Sequence, residues 1–266
     1  MKEKYPSVRN LPISEKRRKK VISDLIEEFQ NTAIGRKMIN LKFIDSTHKL
    51  LRLGMNLIIE RIWFVDYKGE TSYSVMGLGS MQGKDLALKE TELIINEIMG
   101  STTEKNLISS NSSLNEEYLN KGISSLISKG FACTSILTNV HEVMNFWYFK
   151  GFEGVTRRLD APFGFEGTYK GIPVYWTNSM PENRTLILNR NVGELLIGKK
   201  MSANVLEIKP EEMDSVIKNI PTLSRDDLEE KVRLVADEFI KFNMQKQNAF
   251  WVIKTKKSSE NDTLIV

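Results

Sequence analysis

Histidine and cysteine, which often bind metals or act in catalysis, are nearly absent from this sequence. In 266 residues there are one cysteine, Cys133, and two histidines, His48 and His141. A single cysteine cannot form an internal disulfide, and neither histidine has the neighbouring ligands that a zinc site needs. We therefore expect Cys133 to be a small apolar core residue. We expect no metal ion or other cofactor.

The short motifs that identify many enzymes are also missing. No glycine-rich phosphate-binding loop follows a predicted strand, and the glycine pair at 77 and 79 is too short to form one. There is no Gly-x-Ser-x-Gly motif, and no two carboxylates stand out as a catalytic pair. We expect that the protein is not an enzyme, and we assign no catalytic residue.

Long apolar runs are absent as well. No stretch approaches the roughly 18 residues that a membrane-spanning helix needs, and no apolar signal segment precedes the first charges. The composition, with 41% hydrophobic and 27% charged residues, is that of an ordinary globular protein. We expect a cytoplasmic protein with either one large domain or two small ones.

Positive charge is concentrated at the N-terminus. Residues 1–20 contain eight lysines and arginines and two glutamates, whereas the net charge of the whole chain is only +4. One interpretation is a solvated helix face. The other is a basic arm that faces a polyanion or an acidic partner.

The spacing of apolar residues predicts four helices. The first begins after Ser14, a good N-cap, and extends to about Ala33 before Gly35 ends it. The others are predicted at 84–99, 114–129 and 141–149. A short strand is expected at 38–41, after Gly35-Arg36-Lys37.

Most of the predicted strands lie in two regions. Residues 43–79 have the pattern of a long hairpin, which would be only marginally stable alone and so is expected to gain a partner from a neighbour. A strand is predicted at 134–139, and further strands at 169–176, 184–188, 232–240 and 248–254. An acidic, irregular connection occupies 211–227. Helices and strands do not alternate regularly, which favours an α+β fold over a doubly wound sheet.

Three stretches carry a resemblance to a known family. The first is Leu11-Pro12-Ile13-Ser14-Glu15-Lys16, with the helix after it, Phe29 and then Gly35-Arg36-Lys37. The second is the hairpin followed by a helix, and the third is the C-terminal stretch from Tyr169, which ends in the strand Asn248 to Lys254. In this order they resemble the HK97-type capsid fold and, within it, the encapsulin shell proteins. The resemblance covers roughly residues 11–254.

This resemblance implies a domain organisation. Residues 1–41 would form an N-terminal arm and a helix on the inner face of a shell, and 42–80 the extended hairpin loop, or E-loop. Residues 81–117 and 228–254 would form the P-domain, 118–227 the A-domain and 255–266 a tail. Loop residues 179–191, which include Arg184 and Arg190, would be candidates to line pores.

The resemblance also implies a function. The chain would be a self-assembling structural protein whose copies form a closed icosahedral nanocompartment around cargo protein. The alternative is the major capsid protein of a virus or provirus, which packages nucleic acid. A third, enzymatic possibility is a capsid that crosslinks its own subunits through lysine and asparagine. Some encapsulins stack a flavin on a tryptophan near the second hairpin arm. No aromatic residue occurs at 75–83 here, so no flavin is expected.

In encapsulins, the inner helix and the P-domain form a groove for a short peptide of the cargo protein. By motif match, Leu25, Ile26, Phe29 and Arg36 of this chain would contribute to the groove. For the P-domain side, which no motif fixes, we choose Phe239 and Trp251 as candidates. The alternative is that Leu25, Ile26 and Phe29 only pack the helix onto the core, and one stripe can serve both purposes.

Overall fold

A computed structural model of the chain describes residues 15–45, 49–60, 63–65, 71–73, 78–155, 163–207, 218 and 231–256. The chain divides into two compact units. Unit 1 contains Met1–Gln30, Arg52–Leu86 and Lys200–Phe239, and unit 2 contains Asn31–Leu51, Ala87–Lys199 and Ile240–Val266. The basic segment 1–20 lies mostly outside the described residues, as does the predicted acidic connection.

The N-terminal helix α1 (Glu15–Thr32) carries the predicted apolar stripe on one side. It ends at Thr32, and after Ala33 a second short helix, α2 (Ile34–Met38), begins. The prediction that Gly35 ends a helix is therefore wrong, since Gly35 lies inside α2. Its backbone N–H donates to the Oγ1 of Thr91 at 3.4 Å. A side chain at residue 35 would collide with Ile94, so glycine serves close packing here.

Strand β1 (Asn40–Phe43) follows α2 and starts two residues later than predicted, because α2 occupies the positions before it. The next helix, α3 (Leu78–Gly100), is longer than the predicted 84–99. Its extra residues at the N-terminal end include Gly79 and Gly83, which are poor helix formers by propensity. Sequence propensity therefore placed the start of this helix too late.

Of the two remaining predicted helices, the first is confirmed and the second is not a continuous α-helix. Helix α4 (Glu116–Ser128) begins after Asn115, whose side chain accepts a hydrogen bond from the backbone N–H of Tyr118. The predicted helix at 141–149 is instead a short α5 (Val140–Val143) followed by the 3-10 helix Met144–Tyr148. Two other 3-10 turns are Glu104–Asn106 and Arg190–Val192. None of the described helices is both long and apolar enough to cross a membrane.

Unit 2 contains a seven-stranded sheet. Its strands are β5 (Leu107–Ser109), β6 (Ser135–Thr138), β7 (Phe152–Gly154), β8 (Phe165–Tyr169), β9 (Ile172–Trp176), β10 (Arg184–Leu188) and β13 (Phe250–Lys254), in the order β5-β13-β10-β6-β9-β8-β7. Strand β10 is antiparallel to both neighbours, with Leu186 opposite Val252 and Leu137. Strand β9 is parallel to β6. The predicted strands at 134–139, 184–188 and 248–254 fall in this sheet. The strand predicted at 169–176 is instead the end of β8, a turn at Lys170 and Gly171, and β9.

The core of unit 2 lies against this sheet. Its buried residues include Phe146, Tyr169 and Ile187, and α4 contributes Leu119. The half-buried Cys133 packs against the same cluster. Burial raises the pKa of the Cys133 thiol to about 12, although backbone groups of Ser135 and Leu188 oppose the rise. The thiol therefore stays protonated at neutral pH.

Two other sheets contain the remaining strands, among them the two longest. A four-stranded sheet has the order β1-β11-β12-β2, where β2 is Leu51–Glu60, β11 is Gly193–Glu207 and β12 is Lys231–Met244. Strand β1 is parallel to β11, with Asn40 opposite Glu194. In the predicted hairpin, β3 (Trp63–Val65) pairs antiparallel with β4 (Thr71–Tyr73), while the turn between them lies outside the described residues. Helices packed with mixed sheets confirm the α+β class.

Candidate functional site

The buried side of α1 contains two of the predicted peptide-binding residues. Val21, Leu25 and Phe29 recur every four residues, and the last two have no exposed surface at all. Ile26 lies beside this stripe and is only half-buried. Leu25 and Phe29 therefore hold α1 in unit 1, which is the packing role left open by the sequence. Ile26 keeps surface that another molecule can contact.

A glycine of α3 lets this helix approach α1 closely. A side chain at Gly83 would run into the carbonyl of Leu25 and come within 3.0 Å of the backbone nitrogen of Phe29. These obstacles are backbone atoms, which cannot move aside as a flexible side chain can. Gly83 therefore fixes the position of the α1 stripe, and sequence reasoning missed this role.

Arg36, the fourth predicted residue from the N-terminal segment, binds a buried carboxylate of α3 in unit 2. Its Nε donates to Oε1 of Glu90 at 2.9 Å, and its Nη2 donates to Oε2 at 2.6 Å. The Glu90 side chain is completely buried, whereas the Arg36 side chain is 17% exposed. Two parallel charge-assisted hydrogen bonds are the strongest form of this interaction. Arg36 is therefore a structural anchor of α2.

The partner of Arg36 could have been suspected from the sequence. Glu90 lies four residues from both Leu86 and Ile94, which are fully buried. A carboxylate at this spacing lies within an apolar helix stripe and therefore needs a cation when it is buried. The sequence does not show which cation this is. In the structure it is Arg36, 54 residues earlier in the chain.

The two remaining predicted residues lie on strands of different units. Phe239 of β12 belongs to unit 1 and is half-buried. Trp251 of β13 belongs to unit 2, where it packs against the core cluster and the ammonium group of Lys129 lies 4.9 Å from its ring centre. The buried indole Nε1 of Trp251 has no hydrogen-bond partner among the described residues. That these six residues together form a peptide-binding site stays a prediction.

The segment predicted to line pores is largely not a loop. Arg184 begins strand β10, which lies between β13 and β6, and residues 185–189 are buried. Burial lowers the pKa of Arg184. Arg190 is exposed and donates from Nη2 to the carbonyl of Lys37 at 3.3 Å. Residues 185–188 lie in a strand of the sheet. Only the two ends of the segment 179–191 therefore remain available to line an opening.

The described residues contain no group of three or more histidine, cysteine, aspartate or glutamate side chains placed to hold a metal ion. What the described geometry offers is packing surfaces, paired strands and a buried ion pair.

Comparison by sequence finds no protein-family model and no curated protein that matches the chain. Comparison by structure does find similar proteins. A virus-like particle from Pyrococcus furiosus superimposes with a TM-score of 0.54 at 13% identity, over 90% of this chain and 100% of the other. The holo-SrpI encapsulin complex from Synechococcus elongatus PCC 7942 also gives 0.54, at 10% identity, over 86% of this chain and 89% of the other.

A third structure, from Microbacterium phage Oxtober96, has a TM-score of 0.51 at 12% identity, over 78% of this chain and 73% of that one. The chain has the HK97-type capsid fold. The fold inferred from the three sequence stretches is thereby confirmed. At sequence identities this low, the structural similarity establishes the HK97-type fold. The function needs a separate argument.

Proposed function

We propose that the protein is the subunit of a self-assembling, closed icosahedral shell that encloses cargo protein. The observation that carries this proposal is the extent of the structural match. The similarity extends over the full length of the Pyrococcus furiosus particle subunit and over 90% of this chain. A second match, to an encapsulin complex, has nearly the same extent. A subunit with this fold and no assigned catalytic residue is suited to a structural role.

Symmetric assembly explains how weak contacts between subunits are enough to stabilise a shell. In a symmetric shell the same surface patches recur in every subunit, so each modest contact is repeated many times. The predicted hairpin would extend to a neighbouring subunit. The short β3–β4 pair supports this, because three residues in each strand form a small unit by themselves.

Electron microscopy of the purified full-length protein tests the proposal. Closed particles of uniform size, with icosahedral symmetry after averaging, are the expected result. A monodisperse monomer in light scattering, at concentrations where shells of this kind would form, would contradict it.

A viral or proviral capsid is the second candidate, and the Microbacterium phage structure supports it. The N-terminal helix followed by Gly35-Arg36-Lys37, which resembles the start of encapsulins, favours the cargo-enclosing shell. The contents of purified particles separate the candidates: protein supports the cargo-enclosing shell, while nuclease-protected double-stranded nucleic acid supports the capsid. Denaturing gels with only monomer-sized chains would exclude a self-crosslinking capsid.

Within the proposed shell, the cargo peptide would bind to exposed surface of the predicted groove residues. In unit 1, Ile26 and Phe239 retain such surface. Leu25 and Phe29 would shape the site from beneath. The binding mode would be apolar peptide side chains in shallow pockets. We place this shell in the cytoplasm.

Replacing Ile26 by aspartate tests the groove. Particles of the Ile26→Asp variant are expected to form but to lose the co-purifying protein, because a charge would occupy the apolar contact. The matched control is Ser23→Asp, at an exposed position of the same helix. Equal cargo content in both variants would remove Ile26 from the site, and failure of Ile26→Asp to assemble would assign it a packing role.

A further inference from the structure

A pocket of about 840 Å³ lies in unit 2, where three segments meet. Ser101 directly follows α3, Lys129 and Phe131 follow α4, and residues 244–248 are the last residue of β12 and the turn after it. Its volume falls within the range of small-molecule sites, roughly 300–1,000 Å³. The predicted peptide-binding residues are not among those that line it.

The α4 side of the pocket is shaped by a Schellman motif. Gly130 has a φ of +82°, its N–H donates to the carbonyl of Ile127 at 2.8 Å, and the Phe131 N–H donates to the carbonyl of Leu126 at 3.1 Å. These bonds satisfy two carbonyl groups at the end of the helix. Their partial negative charge is therefore partly neutralised, and Lys129 and Phe131 are held at the pocket wall.

The opposite side is fixed by backbone hydrogen bonds of the turn. The N–H groups of Gln245 and Lys246 both donate to the carbonyl of Val192, at 2.9 and 3.1 Å. The Ala249 N–H donates to the carbonyl of Lys246 at 3.0 Å and closes the turn. The position of Lys246 is thus set by the backbone.

The charge of the pocket is entirely positive. Of its eight lining residues, two are lysines and none carries a carboxylate. The ammonium group of Lys246 lies 5.5 Å from the ring centre of Phe131, and that of Lys129 lies 4.9 Å from the ring centre of Trp251. Within the described part of the chain, neither lysine forms an ion pair. Two cations without a counter-charge face one pocket.

We propose that this pocket binds an organic phosphate monoester with an aromatic or other flat apolar body. A phosphate monoester carries a charge of about −1.5 to −2 near neutral pH, which matches the two lysines. The side-chain amides of Gln245 and Gln247 can donate to the remaining phosphate oxygens. Phe131 and Met244 provide apolar surface for the rest of the ligand. None of the lining residues is among the six predicted for the cargo peptide, although Lys129 also lies over the ring of Trp251.

Calorimetric titration of the purified full-length assembly with phenyl phosphate tests the proposal. Saturable binding is expected, and it should be several-fold tighter than the binding of inorganic phosphate, which lacks the apolar body. Phenol alone should bind more weakly than phenyl phosphate, because the charge contacts are missing. The affinity should fall as salt is added, since the lysines are at the surface.

Two lysine substitutions and a control complete the experiment. Lys129→Met and Lys246→Met should each weaken binding by about tenfold, as expected for loss of a hydrogen bond to a charged group. Lys121→Met removes an exposed charge from the same helix outside the pocket and should leave the affinity unchanged. The absence of saturable phenyl phosphate binding, or equal losses in all three variants, would overturn the proposal.

Discussion

Two arginine–carboxylate pairs, one in each unit, show how differently the same chemistry is used in this molecule. In unit 2, Arg36 binds Glu90, whose side chain is completely buried. In unit 1, Arg52 binds Asp237 at 2.9 Å, but the arginine is 59% exposed and the aspartate 17%. The N–O distances are similar, so the difference lies in the surroundings. When its cation is removed, a buried carboxylate cannot be hydrated and stays without a counter-charge. At the surface, by contrast, water hydrates both charged groups again when the ion pair is broken.

The largest expected effect comes from breaking the buried pair on its cationic side. Arg36→Met should lower the free energy of unfolding by about 3–5 kcal/mol, because it leaves Glu90 buried without a counter-charge. Urea denaturation followed by tryptophan fluorescence measures this loss. The double variant Arg36→Met/Glu90→Leu should recover most of it, since both charges are gone. Without such recovery, the lost stability belongs to the Arg36 side chain itself and not to an orphaned carboxylate.

Breaking the same pair on its acidic side should cost less. Glu90→Gln keeps the size of the side chain and one oxygen acceptor, and the partly exposed Arg36 can turn to water. A loss of about 1–3 kcal/mol is expected. The same denaturation measurement compares the two single variants. A Glu90→Gln loss as large as that of Arg36→Met would show that the asymmetry in burial does not govern the energetics.

Cys133 extends the comparison to a titratable group that has no charged partner. Burial raises the pKa of its thiol from about 9 to about 12 in the folded protein. Below pH 9 the thiol is protonated in both states and has no effect. Between pH 9 and 12 it ionises only in the unfolded chain, so stability falls as the pH rises.

The decline in stability above pH 9 should be shallower in Cys133→Ala than in the parent protein. Thermal unfolding at a series of pH values measures the slopes. Native Cys133 should also react slowly with a thiol reagent at pH 8 and rapidly after unfolding. Fast labelling of the native protein would contradict the assigned burial.

The smallest effect is expected at the exposed pair. Arg52→Met should change the free energy of unfolding by no more than about 1 kcal/mol, and added salt should reduce the difference further. Asp237→Asn should cost somewhat more, because Asp237 also accepts a hydrogen bond from Ser202 at 3.0 Å. If Arg52→Met were as damaging as Arg36→Met, exposure would not explain the contrast between the pairs.

Much of the fold could be predicted because the apolar residues of its helices and strands recur in clear local patterns. The stripe of α1 recurs every four residues, and the short apolar runs of β10 and β13 are bounded by polar residues and turns. The order of these elements then indicated the capsid fold. The errors arose where one residue type is compatible with two structural roles. Gly35 was interpreted as a helix end, although it allows α2 to pack against Thr91 and Ile94.

The candidate site could be predicted only in part. The apolar residues of α1 were recognisable, but their division between buried Leu25 and half-buried Ile26 depends on what α1 packs against. The phosphate pocket has no local signature. Its two lysines are separated by more than a hundred residues and meet because α4 and the β12–β13 turn lie together.

The sequence by itself determined the α+β class, the amphipathic α1 and the positions of most strands, because side-chain polarity and periodicity are local properties. Only the tertiary structure decided that Glu90 is the partner of Arg36, that Gly83 is required by the backbone of α1, and that 184–188 is a central strand. The physical reason is that burial and pairing are relations between distant segments. A carboxylate, a glycine or an apolar run acquires its role from the atoms that fold against it.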